Sequence, residues 1–262
     1  MEAAEYHKMA GVEDGMWFYR ALHAHVARSL EEGSRKRGRA EEGKGGGMRV
    51  LDAGCGTGGL IRRLVLRHPD WSWTGIDVEP LACELARERA PMAEIREGSV
   101  TVLPWADGSF DAVVSADVIY HLDDDGAALR EFFRVLKPGG MVVINVPAYR
   151  WLWSYHDVAT HAKRRYDRGE LMAKLRVAGF GGVGATHWNA LPLPLVVVRR
   201  KLLPAPVAGS DVRLYPAAVE QGFNAAMAFE RGWLRVFGRL PWGSSLLAVA
   251  QKSRAAGEES AL

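Results

Sequence analysis

The chain has 262 residues, enough for one α/β domain with additions and a large buried core. Its 48% apolar and 25% charged residues are those of an ordinary soluble protein, and a net charge of +3 without a clustered patch argues against nucleic-acid binding. Two cysteines, Cys55 and Cys83, leave no disulfide framework and no metal spacing, so the expectation is no bound metal and a reducing, cytoplasmic setting.

In chain order, residues 1–33 read as an N-terminal helical cap, with Trp17, Phe18, Leu22, Val26 and Leu30 near helical spacing. Residues 34–47 are charged and glycine-rich, the composition of a flexible linker. Residues 48–252 alternate strands and helices: strands around 49–52, 71–77, 94–100, 110–115, 141–146 and 184–189, with helices over 60–68, 80–90, 123–136 and 170–178. That alternation, with short connections, predicts right-handed βαβ units and a parallel sheet. A helical insert of about 190–240 precedes a last strand, 244–251, and residues 253–262 read as a tail. The longest apolar stretch, 190–198, contains two prolines and is about half the length needed to span a bilayer, so no transmembrane segment is expected.

The stretch RVLDAGCGTGG, residues 49–59, is a strand, a glycine turn and a helix start. Such a turn accepts φ > 0, lets a ligand approach the backbone and offers free N–H groups to an anionic group. Gly54, Gly56 and Gly59 satisfy a dinucleotide fingerprint, with Asp77 at about the distance of a ribose contact. Asp52-Ala53-Gly54-Cys55-Gly56-Thr57-Gly58 equally resembles the first motif of the class I S-adenosylmethionine (SAM)-dependent methyltransferases. Downstream, Leu103-Pro104-Trp105 through Asp111 and Leu136-Lys137-Pro138-Gly139-Gly140 resemble signatures of the ubiquinone and menaquinone type of that superfamily. These motifs follow in order over 49–147, whereas a dehydrogenase would need a Tyr-x-x-x-Lys pair or a second mononucleotide half, and neither is visible.

The resemblance implies a Rossmann-like, doubly wound α/β fold, a seven-stranded sheet mostly parallel with an antiparallel last strand, and SAM as cofactor. It implies cofactor contacts from Asp52, Gly54, Cys55, Gly56 and Gly58 in the turn, Asp77 on the ribose and Val78 on the adenine. Many relatives carry an Asp for the adenine amino group where this chain has Ser99, so adenine recognition is expected from Ser99 and Val100. Asp117 is expected to meet the cofactor or the acceptor.

For the acceptor, two segments stand out and resemble a bacterial subgroup with an N-terminal W-[WF]-[FY]-x-R helix and an L-W-S-x-H-D…H-x-x-R-Y loop. The first offers Trp17 and Tyr19; the second, 147–171, offers Trp153, Tyr155, His156, Asp157, His161, Arg165 and Tyr166, joined by Tyr120 and His121. If 153–166 is helical, Asp157, His161 and Arg165 share a face as a charged relay. His156, with Asp157 and His121, is the expected catalytic group, since a hydroxyl acceptor needs a base near neutral pKa. The expected reaction is methyl transfer to a small-molecule acceptor, at a hydroxyl or thiol, by a monomer or homodimer. A sugar or lipid-linked glycan at a membrane surface, and a non-catalytic SAM-binding scaffold, are the alternatives.

Overall fold

The computed structural model describes residues 3–40, 47–205 and 211–253. Its sheet has seven strands in the order β3-β2-β1-β4-β5-β7-β6: β1 Arg49–Ala53, β2 Ser72–Asp77, β3 Glu94–Glu97, β4 Phe110–Ala116, β5 Leu136–Pro147, β6 Gly181–Trp188 and β7 Ser245–Gln251. Strands β1 to β5 pair in parallel, and β7 runs antiparallel to both β5 and β6, as expected for the last strand. The order reverses between β1 and β4, where connections leave in opposite directions and a crevice opens at the C-terminal strand ends.

Period-2 alternation sends side chains to two cores. Val50, Trp73, Val114 and Val143 face one layer; Leu51, Ile76, Val113, Val142 and Ile144 face the other. Both sets are buried because helices cover both faces, as a parallel sheet requires. The first layer is built by α2 (Trp17–Ala40), α3 (Gly59–Val65), α4 (Pro80–Arg89) and, across α2, by α9 (Ala217–Phe237). The second is built by α5 (Asp125–Val135) and α7 (Arg168–Val177) through Leu129, Phe132, Leu171 and Leu175. Asp124 caps α5 by accepting the Ala127 N–H at 2.9 Å, a contribution of about 1 kcal/mol.

The N-terminal region departs from the sequence reading in two ways. It is two helices, α1 (Ala3–Val12) and α2, broken at Gly15. The segment expected to be a linker from residue 34 stays helical to Ala40; residues 41–46, like most of the expected tail, lie outside the described residues. Charge pairing explains the extension: Arg28 meets Glu32 and Arg35 meets Glu31 at i,i+4, while Arg37 reaches the buried Asp111. The remaining expected insert comprises α8 (Leu193–Val197), a wider π-type turn Val198–Leu202, and α9.

Asp111 also accepts the Arg49 backbone N–H and the Lys137 ammonium, each at 2.8 Å, and these partners hold its carboxyl below the usual range against the cost of burial. Asp111→Ala should therefore cost about 2–3 kcal/mol, because it strands the start of β1, whereas Arg37→Ala should cost under about 1 kcal/mol and loosen only the end of α2. Urea unfolding, with amide exchange over residues 34–40, checks both outcomes.

Candidate functional site

Three strand ends carry carboxylates to one place: Asp52 from β1, Asp77 from β2, and Asp117 directly after β4. They line a cavity of about 730 Å³, a volume typical of small-molecule sites. Gly54, Cys55, Gly56, Val78, Ser99 and Val100 complete this acidic end. The turn needs glycine at position 54: its φ is +92°, and a Cβ there would lie 2.3 Å from Val118 Cγ2. Asp77 holds the turn by accepting the Gly56 N–H at 2.9 Å and the Glu79 N–H at 3.1 Å. Each of its oxygens has a second lone pair for a ligand hydroxyl. Burial, reinforced by Glu13 and Asp77, pushes the Asp52 carboxyl up to about 8. Ser99 is tied to Thr101 through a 2.7 Å hydroxyl pair.

The cap closes this end. Tyr6 and Met9 of α1 line the cavity, and burial beside Asp77 and Glu79 raises the Tyr6 phenol above its ordinary value. Glu13 sinks behind the glycine turn: its Oε2 accepts the Thr57 hydroxyl and an Arg89 N–H, both at 2.7 Å. Gly59 gives it room, since a Cβ there would lie 2.1 Å from Glu13 Cδ. Trp17 and Tyr19 of α2 line the cavity too, with Trp17 stacked on Phe223 of α9 at 4.6 Å. Tyr6 and Met9 escaped the sequence reading, although with Glu13 they recur at the spacing of one helix face.

Where the acidic end opens into the rest of the cavity, Asp117 occupies the left-handed region, φ +59°, strained for a non-glycine residue. A hydrogen-bond chain fixes it: Trp188 Nε1 donates to Asn145 Oδ1 at 2.7 Å, and Asn145 Nδ2 donates to Asp117 Oδ1 at 2.9 Å. Burial lifts the Asp117 carboxyl to about 7, while Asn145 and Arg165 oppose the rise. Tyr120, His121, His156, Asp157, His161 and Arg165 line this part as well.

Several expectations change on the geometry. The relay helix is only α6, Tyr155–Ala159, because the chain turns through His161 at φ +54°. Asp157 and Arg165 still meet, at 2.7 Å, across the loop rather than along a helix. Asp157 is thereby occupied by the buried guanidinium and by the Ser154 N–H at 2.8 Å. His156 Nδ1 accepts the Asp211 N–H at 3.2 Å, so its proton sits on Nε2. Burial and the nearby Arg200 lower its pKa to about 3, which runs against its expected role as a base. His121 points Nδ1 at the His161 carbonyl, 3.3 Å away, and burial lowers it to about 4.

Four expected site residues do not reach the cavity. Gly58 packs against Ala86 of α4. Tyr166 is fully buried, donating to Asp125 Oδ2 at 2.6 Å, and so pins the loop to α5. Trp153 is 37% exposed, its carbonyl accepting from Lys201 at 2.7 Å. Tyr155 donates to Asp211 at 2.6 Å, behind the cavity wall. The insert contributes what the sequence reading missed: Leu195, Arg199, Arg200, Asp211 and Arg213 line the cavity.

Comparison with known proteins bears on the domain and its fold. Residues 51–144 match the family described as a methyltransferase domain. A protein of Mycolicibacterium smegmatis, named a probable S-adenosylmethionine-dependent methyltransferase, is 33% identical over 143 residues, 51% of this chain and 52% of that protein. The demethylmenaquinone methyltransferase of Chlorobaculum parvum is 32% identical over 50% of this chain and 49% of its own length. The chain thus spans about half the length of these curated relatives. Among solved structures, a chain of a complex of the Haloferax volcanii Trm112 methyltransferase activator is 24% identical, with a TM-score of 0.58 and 96% of each chain covered, a likeness of fold.

The raised carboxyls have a consequence for stability. With Asp52 at about 8 and Asp117 at about 7, the native state holds protons that the unfolded chain has released above about pH 4, so stability falls as pH rises through these values. Asp52→Asn should flatten that decline and leave the variant more stable than wild type at pH 8, on the order of 1–2 kcal/mol, with little gain at pH 5. Urea unfolding at the two pH values measures it.

Proposed function

We propose that this chain, which carries a class I SAM-dependent methyltransferase domain, transfers the methyl group of SAM to a hydroxyl or thiol of a small acceptor and releases S-adenosylhomocysteine. The observation that carries the reading is the row of carboxylates at the ends of β1, β2 and β4, facing one cavity behind a glycine turn. The sulfonium of SAM supplies the electrophilic methyl. A donor with an ammonium, a ribose diol and a cationic sulfur suits an acidic pocket. Asp52 is near enough to neutral in the free protein to ionise when it meets the ammonium. Asp77 accepts from the ribose hydroxyls, and Val78 and Val100 offer apolar surface to the adenine.

In-line displacement needs alignment and exclusion of water more than covalent help. Trp17, Tyr19 and Tyr120 supply enclosure on the acceptor side. Asp117 is the group suited to take the acceptor proton: the Asn145–Trp188 chain holds it in one strained geometry, and its carboxyl titrates near the working pH. His156, with its lone pair spent on a backbone N–H, acts instead as a donor from Nε2.

The test is S-adenosylhomocysteine formation from SAM across a panel of phenols and thiols. With a phenol the rate should climb with pH and level off above about 7, as Asp117 loses its proton. Asp117→Asn should lower kcat about 10²–10⁴-fold and abolish that climb. Tight S-adenosylhomocysteine binding with no turnover on any acceptor would instead favour a binding protein, and an unchanged Asp117→Asn profile would remove Asp117 as base.

A further inference from the structure

The cavity is electrically polar, and its basic end is not used by the donor. That end is built by the insert. The π-type turn carries Arg199 and Arg200, and the irregular stretch before α9 carries Asp211 and Arg213; all four line the cavity. A π-type turn spreads successive residues through a smaller angle than an α-helix does, which lets two adjacent arginines address one space.

Their pairing is incomplete. Arg200 Nε lies 3.0 Å from Asp211 Oδ2, and Arg199 Nε lies 4.0 Å from Oδ1 of the same carboxylate. Asp211 is shared further, accepting the Tyr155 hydroxyl at 2.6 Å. Arg199 lies over the Tyr155 ring at 4.9 Å, and Arg213 over the Tyr215 ring at 5.0 Å. Arg199 and Arg200 therefore share one carboxylate, and Arg213 adds a third guanidinium to the same cavity. The deeper Arg165 is already matched by Asp157 and the Ala148 carbonyl, so it adds no free charge. Arg199 gives one N–H to the Pro204 carbonyl at 2.9 Å, and the guanidinium fork of an arginine lying over an aromatic ring fits a carboxylate or phosphate. Beside them the wall is apolar, with Leu195, Val196 and Phe223.

We infer that the acceptor is an anion, an apolar or aromatic body bearing a carboxylate or phosphate that Arg199, Arg200 and Arg213 receive while its nucleophilic atom faces Asp117. This deepens the methyltransferase reading and rests on it for the role of the ligand. The same cationic field favours the negative charge that builds on the attacking atom as its proton leaves.

The test titrates benzoate, phenyl phosphate and benzyl alcohol into the protein, with and without bound S-adenosylhomocysteine, at low and high salt. Wild type should bind an anionic probe at least tenfold more tightly than benzyl alcohol, with the advantage shrinking as salt rises; the benzoate and phenyl phosphate arms tell which anion fits. The Arg199→Gln/Arg213→Gln double variant leaves Asp211 paired with Arg200, so it should fold. It should lose that advantage about tenfold while keeping wild-type affinity for S-adenosylhomocysteine. Equal binding of neutral and anionic probes to wild type, or a variant that keeps the preference, would overturn the inference. Failure of wild type to take up S-adenosylhomocysteine would instead overturn the donor reading, and the anion titrations without it would still decide the basic seat.

Discussion

One buried carboxylate holds the architecture of the site together. Glu13, from the chain between α1 and α2, is sunk against the glycine turn, where it binds Thr57 from the turn and Arg89 from the end of α4. Arg89 returns to the Thr57 carbonyl at 3.0 Å, so cap, turn and α4 form a closed set of charge-assisted bonds. Removing Arg89 would leave the Glu13 carboxylate buried without its guanidinium, which is far costlier than the net value of any single bond in the set. The glycines serve this packing as much as ligand approach: position 59 must lack a side chain for Glu13 to fit. The cap therefore belongs to the cavity wall, and Tyr6 and Met9 close what would otherwise be an open crevice at the strand ends.

The cavity that results has an acidic end and a basic end, with Asp117 between. This polarity follows from topology. The parallel strands β1, β2 and β4 all end on one side, and the three carboxylates at their ends cannot avoid one another. Burial, joined at Asp52 by repulsion from Glu13 and Asp77, keeps part of that charge neutral until a cation arrives, which couples ligand binding to proton release. The opposite end owes nothing to the sheet; it is assembled by an insert in which Arg199 and Arg213 lie over tyrosine rings and Arg200 pairs with Asp211.

The parts legible in the sequence are those written in neighbouring residues. The glycine turn, Asp77 and the alternation of strands and helices are local patterns, and the antiparallel last strand came with the family resemblance. What escaped depends on distant partners. The stretch after residue 34 has a linker's composition, yet Arg37 finds Asp111 74 positions away and the helix continues. The Asp157–His161–Arg165 spacing suited a helix face, but a left-handed residue at His161 ends the helix and a loop brings Asp157 and Arg165 together instead. His156 looked like a base on residue type alone; the Asp211 N–H that occupies its lone pair arrives from 55 residues downstream. Tyr166 and Trp153 belonged to an aromatic-rich run that the fold spends on loop anchoring and outer surface.

The most direct measurement of the central claim is a crystal structure with S-adenosylhomocysteine soaked at saturating concentration. The account predicts the homocysteine ammonium on Asp52, both ribose hydroxyls on Asp77, and the sulfur directed at the space bounded by Tyr19, Tyr120 and Asp117, beneath an unmoved Glu13. A nucleoside seated outside the glycine turn, or a sulfur facing away from Asp117, would contradict it.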